Sequence, residues 1–258
     1  MISSKPATEL PSTRVAGVPV HELDLEASLD LIDQFIADGT PHYNVAINAA
    51  KVVKFHHDAT LRTAIEKAHL LTADGKPVVW ASRLLGHPLP GRVNGTDLME
   101  ALLDRAASRG HSVYFFGAKQ EIVETCVAKT RKLYPTLRIA GYRNGYFSQE
   151  DESAIVADIA ASRPDILFLG FGTPRKEYFM NTHYRALQVP FVMGVGGTFD
   201  VLAGLTKRAP RWMQNSGLEW FFRFTQEPRR MWKRYLIGNS QFIALVAKEY
   251  ILRGRRRP

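Results

Sequence analysis

The chain has 258 residues, 45% of them hydrophobic, with a single cysteine and a formal net charge of +9. Those values suit one large α/β domain, or a domain plus an appendage, with a real core. They exclude an internal disulfide, because Cys126 is alone, and no stretch approaches the roughly 20 apolar residues of a bilayer-spanning helix.

Residues 1–12 read as a loose polar terminus, and residues 25–38 show helical spacing. Tyr43 to Asn48 reads as a strand running into a helix start, with Lys51–His57 and Ala59–Ala68 as helices. Leu70 to Asp74 is a strand end, followed by a Gly-Lys-Pro turn and a helix from about Val78 to Leu85. Residues 86–95 form a loop dense in turn formers. Thr96 is a plausible N-cap for a helix Asp97–Ser108. Ser112–Gly117 is a buried strand, Glu121–Tyr134 a helix, Leu137–Gly141 a strand and Arg143–Tyr146 a turn. The helix Glu150–Ser162 leads to two apolar runs, Asp165–Gly170 and Pro190–Gly194. A short run of large apolar residues bounded by turn signals reads as a strand buried on both faces. Strands alternating with helices predict an α/β fold, a Rossmann-like, mostly parallel sheet with flanking helices.

Both apolar runs stop at glycine-rich turns, Gly170-Phe-Gly-Thr-Pro-Arg-Lys-Glu177 and Gly194-Val-Gly-Gly-Thr-Phe-Asp200. Ligands of open α/β sheets bind outside the carboxyl ends of the strands. Glycine there lets backbone N–H groups approach a phosphate or base closely. A nucleotide-type site is therefore expected at Gly172, Gly196 and Gly197. Asp200 could accept hydrogen bonds from a base or ribose. There is no Gly-x-Gly-x-x-Gly at the first strand and no Gly-x-x-x-x-Gly-Lys-Ser/Thr, which weighs against a dehydrogenase and a P-loop enzyme.

Other candidates carry two readings each. Asp74, at a strand end before Gly75, is a general base or a helix N-cap. Arg92, in the proline-rich loop, is a bidentate diphosphate ligand or a solvated charge. Asn48 contacts substrate or caps a helix. Tyr146, after Asn144-Gly145, stacks on a base or packs as a hairpin tyrosine. Cys126 lies in a helical pattern with no basic partner, which argues against a nucleophile. Metal use finds little support. Adjacent His56 and His57 point about 100° apart on a helix, and no Asp-x-Asp pair is present. No metal and no cofactor are expected. With no secretory signal read, a cytoplasmic setting is expected.

The charge is unevenly placed. Residues 211–258 hold 11 Lys/Arg against 3 Asp/Glu, a net +8, and the other 210 residues carry only +1. The alternation of strands and helices stops near residue 210. The expected organisation is a body over 1–212 and a basic, aromatic helical appendage over 213–258. After Pro228, Arg230, Lys233 and Arg234 share a helix face, with Arg229 beside them and Trp232 and Tyr235 adding interfacial area. Such a segment suits an anionic membrane surface, a solvated face, or aromatic packing on the body. Arg253 and Arg255–Arg257 are a further anchor or a loose end. A nucleic-acid-binding protein using the basic tail and a nucleotide-dependent oxidoreductase are the rival readings; the near-neutral body argues against nucleic acid.

Taken in order, Ala46-Ile-Asn48, Thr72-Ala-Asp-Gly75, Pro88-Leu-Pro-Gly-Arg-Val-Asn-Gly-Thr-Asp97, Asn144-Gly-Tyr-Phe147, the two glycine turns and Glu227-Pro-Arg-Arg230 resemble the WecG/TagA/CpsF family of glycosyltransferases over roughly residues 15–240. The resemblance implies an inverting, metal-independent transfer from a UDP-sugar to a polyprenyl-diphosphate-linked saccharide. It implies Asp74 as general base, Arg92 at the diphosphate or acceptor, and Asn48 in the catalytic pocket. It implies uridine contacts from Tyr146 and Asp200, with Gly145 beside them. It also implies a C-terminal segment docked on the cytoplasmic membrane face, where Arg223, Arg230 and Lys233 help close the site. A homo-oligomer is a further expectation. The chain departs from the usual pattern at Ala46, where threonine is common, and at Lys176, where glutamine is common. Lys176 adds a cation near the donor and leaves the sugar open between glucose and N-acetylmannosamine.

Overall fold

The computed structural model describes residues 10–226 and 228–254, with side chains at all of these except 215, 229–237 and 254. The chain folds as an α/β structure around one six-stranded sheet. Its strands are β3 (His42–Ile47), β4 (Leu70–Ala73), β5 (Ser112–Gly117), β6 (Arg138–Arg143), β7 (Ile166–Gly170) and β8 (Phe191–Gly194). Their order is β4-β3-β8-β7-β5-β6, and every pairing is parallel. Each of the six corresponds to a strand expected from an apolar run. β3, β4, β5, β7 and β8 are buried almost throughout because helices cover both faces. The edge strand β6 is only partly buried.

Two further strands, β1 (Ser12–Val15) and β2 (Val18–His21), form an antiparallel hairpin that the sequence reading did not anticipate. Its two-residue turn puts Ala16 (φ 49°) and Gly17 (φ 81°) in the left-handed region that tight hairpins require. Alanine is an unusual residue there, so the turn signal was weak. The hairpin is tied down where the Leu71 N–H donates to His21 Nδ1 at 3.1 Å.

The helices divide between two cores. On one face α2 (Ala49–Phe55), α3 (Ala59–Glu66), α4 (Lys76–Leu84), α7 (Glu152–Ser162) and α8 (Arg175–Leu187) pack with the hairpin around Tyr43, Phe116, Leu167 and Val192. On the other, α1 (Leu25–Asp38), α5 (Gly95–Arg109), α6 (Gln120–Leu133) and α9 (Thr198–Leu202) pack around Phe115, Phe168, Phe191 and Met193. Neighbouring strands β3 and β8 therefore lead into helices on opposite faces, α2 and α9. That is a topological switch point, and a crevice opens there at the carboxyl ends of the strands.

Three more helices follow among the described residues: α10 (Arg211–Asn215), α11 (Glu219–Gln226) and α12 (Pro228–Gly254). Phe242 and Val246 of α12 are buried in the first core, and Arg253 donates to the Leu85 carbonyl at 3.0 Å. The final helix is thus fastened to the body by its second half. Among the described residues, no helix is long and apolar enough to cross a membrane.

Candidate active site

The crevice is a cavity of about 610 Å³, lined by the ends of β3, β4, β7 and β8 and by α11 and α12. Two smaller cavities, about 90 and 150 Å³, adjoin it, and Asp74 and Arg223 line all three. Asp74 directly follows β4. Its backbone N–H donates to Ile47 O at 2.7 Å, which fastens the end of β4 to the end of β3. The Val93 N–H donates to Ala73 O at 2.8 Å and draws the proline-rich loop alongside. Asp74, Asn48, Arg92 and Asn94 are brought together by these two contacts.

Asn48 is the helix cap of the two readings, and it also faces Asp74. Its Oδ1 accepts from the Lys51 N–H at 3.1 Å and caps α2, while its Nδ2 points at Asp74 Oδ2 from 3.5 Å. The amide is held by the cap, so it is oriented before any ligand arrives. Asn94, not Thr96, is the N-cap of α5: its side chain accepts from the Thr96 N–H at 2.8 Å. Thr96 is instead spaced 3.2 Å, oxygen to oxygen, from Thr198 at the start of α9, which links the two helix starts at the cavity wall. Asparagine caps as well as threonine and lies two residues earlier, so the sequence alone left the start of the helix open.

Gly172, Gly196, Gly197 and Asp200 line the main cavity, as does Lys176. Two glycines make this floor possible. A Cβ on Gly170 would stand 2.5 Å from the Phe199 ring, so its absence lets α9 settle over the end of β7 and carry Asp200 to the cavity. A Cβ on Gly194 would stand 2.9 Å from Lys176 Cδ, so its absence leaves the lysine its path.

Lys176 belongs to a buried ionic cluster that the sequence did not disclose. Glu177 is fully buried and pairs with Lys176 at 2.8 Å and Lys51 at 2.9 Å. Lys51 also donates to Ala46 O at 2.5 Å, and Lys176 donates to Thr173 Oγ1. Burial pushes the Glu177 carboxyl up, but the two ammonium groups outweigh it and hold it well below the usual carboxylate range. Both lysines line the cavity. Lys51 was missed as a site residue because a lysine on a helix face reads as solvated. Its one signal was its setting, among Ala49, Ala50, Val52 and Val53.

Arg92 lines the 150 Å³ cavity with Asp74 and Arg223. It is only 12% exposed and pairs with Glu219 at 2.6 Å and Asp97 at 3.3 Å, so it is not a solvated loop charge. Arg223 reaches the site from α11. Gly145 and Tyr146 are not among the residues lining the main cavity. Gly145 O accepts from Arg175 at 3.1 Å, and Tyr146 is 70% exposed beside that turn. The side chains of Arg229, Arg230, Lys233 and Arg234 lie outside the described residues, as do Arg255–Arg257. Cys126 is buried and donates to Phe199 O, and burial pushes its thiol up to about 12, which suits packing and not attack.

An open parallel sheet with a carboxylate, a glycine-lined floor and cations at its switch point is the arrangement of a ligand-binding α/β protein. Residues 13–257 match the model of the Glycosyl transferase WecG/TagA/CpsF family. The chain belongs to that family and is a glycosyltransferase. It is 36% identical over 184 residues to the N-acetylglucosaminyldiphosphoundecaprenol N-acetyl-beta-D-mannosaminyltransferase of Bacillus spizizenii, covering 71% of this chain and 70% of that protein. It is 31% identical over 242 residues to the protein of the same name from Bacillus subtilis, covering 91% of each.

Proposed function

We propose that this chain transfers an N-acetylhexosamine, N-acetylmannosamine in the first instance, from its UDP-sugar to a polyprenyl-diphosphate-linked saccharide, with inversion and without a metal. The names of its relatives support the sugar and the lipid-linked acceptor. The observation that carries the reading is that Asp74 faces the same cavity as Lys176, Gly196, Gly197, Asp200 and Arg223. The cavity's volume lies in the range of small-molecule sites.

In this reading the donor diphosphate lies over the glycine turns of β7 and β8. The acceptor hydroxyl gives its proton to Asp74 as its oxygen bonds to the anomeric carbon. The bond from that carbon to the diphosphate oxygen breaks on the opposite side, and the electron pair leaves on UDP. Lys51, Lys176 and Arg223 offset the charge that develops on the leaving group. Among the described residues no group of three or more His, Cys, Asp or Glu could hold a metal ion, so the reading assigns this task to cations. Asn48 Nδ2 fixes the Asp74 carboxylate toward the acceptor side. Residues 213–258 serve in this reading as an appendage that meets the cytoplasmic membrane face, where the acceptor lipid resides.

Asp74→Asn should lower turnover with lipid-linked acceptor by about 10²–10⁴ while leaving UDP binding intact. The test is single-turnover kinetics alongside calorimetric titration of UDP. Normal turnover in the variant would remove the base assignment and the reading built on it.

A further inference from the structure

The 150 Å³ cavity beside Asp74 is lined by Lys76, Arg92, Glu219, Trp220 and Arg223 among others. Its cations fit an anion, yet two carboxylates of the chain, Asp74 and Glu219, already line it. Glu219 Oε2 is 2.6 Å from Arg92 Nη1, a charge-assisted contact between side chains 22% and 12% exposed. The other Arg92 contact, to Asp97, is longer at 3.3 Å. Asp97 is also engaged by Arg208, which reaches Glu100 at 3.3 Å as well. Asp97 thus has a second cation, and Glu219 is the closer counter-charge of Arg92.

Glu219 opens α11, a helix with no buried residue. Arg223 lies four residues on, so the two share a helix face. A guanidinium forked between two carboxylates cannot also grip a phosphate with both nitrogens. In the main cavity Lys51 and Lys176 are met by a carboxylate of another kind. There, Glu177 sits buried behind Lys51 and Lys176.

We propose that Glu219 is an internal stand-in for the diphosphate of the lipid-linked acceptor. The acceptor's diphosphate displaces its carboxylate from Arg92, and α11 shifts with it, carrying Arg223 onto the same group. The inference rests on the reading of function above for the identity of the ligand. It adds that a residue of the C-terminal segment sets acceptor affinity by competition, so that the Arg92 subsite is closed until a diphosphate opens it.

The test is calorimetric titration of the full chain with inorganic diphosphate in saturating UDP, which keeps the donor side filled. Glu219→Gln should bind diphosphate roughly three- to tenfold more tightly than the natural chain. Adding Arg92→Ala should abolish the gain. Unchanged or weaker binding in Glu219→Gln overturns the proposal. If that variant does not fold, Glu219→Asp, whose shorter arm holds Arg92 less closely, must show the same direction, and equal affinity there overturns it too. These readouts need no glycosyl transfer. An inactive base variant or a wrong donor sugar leaves them interpretable, and a failure here leaves the Asp74 assignment standing.

Discussion

Two ionic clusters flank Asp74, and they are built differently. Lys51, Glu177 and Lys176 are almost wholly buried, with side chains no more than 7% exposed. Arg92, Asp97, Arg208 and Glu219 lie at a rim, between 12% and 32% exposed. In the buried cluster each partner has lost its water, and separating them would strand a charge in the interior. At the rim, water and ligand can replace any one contact at small cost. The first is suited to holding cations in fixed places, the second to exchanging partners. In the proposed function the first would seat the leaving group and the second would admit the acceptor.

The largest expected effect on stability is at the buried cluster. Glu177→Gln leaves two buried ammonium groups facing each other and should destabilise the fold by about 3–5 kcal/mol, read by denaturant unfolding. A loss below 1 kcal/mol would mean that the buried cluster is as exchangeable as the rim, and the contrast would fail. Next is the anchor behind the rim. Phe242→Ala removes a buried ring by which α12 is held against the body and should cost about 3 kcal/mol. An unchanged melting point would show the last helix to be detachable.

The smallest effect comes from pH and concerns neither cluster. Burial lowers the His21 imidazole from 6.5 to about 4, and His69 moves the same way to about 4. The unfolded chain takes up these protons first as pH falls. Stability should therefore be full above 6.5 and decline between 6.5 and about 4, by about 1–3 kcal/mol for His21. His21→Gln should flatten that part of the profile. A decline that begins only below 4.5 would point to Glu177, whose carboxylate is protonated only at still lower pH.

The main strands were legible because a strand buried on both faces must be apolar along its whole length, as in Ile166–Leu169 and Phe191–Met193. Their ends were legible because glycine and polar residues follow them. Asp74, Asn48 and the turns at Gly172 and Gly196 could thus be placed at one sheet edge without coordinates. The β1–β2 hairpin was not, since its turn uses alanine at a positive φ. Nor could the sequence weigh Arg92 against a solvated charge. Its closest partner, Glu219, lies 127 residues away.

By itself, then, the sequence determined the alternation of strands and helices, the polar residues that end each strand, and membership of a family through motifs met in order. Apolar periodicity and turn chemistry are local, so they can be read along the chain. The tertiary structure alone decided which strands are neighbours, that Lys51 and Lys176 share one carboxylate, and that α11 brings Glu219 to Arg92. Those contacts join residues far apart in the chain, and their energies depend on burial and distance, which a string of residues does not contain.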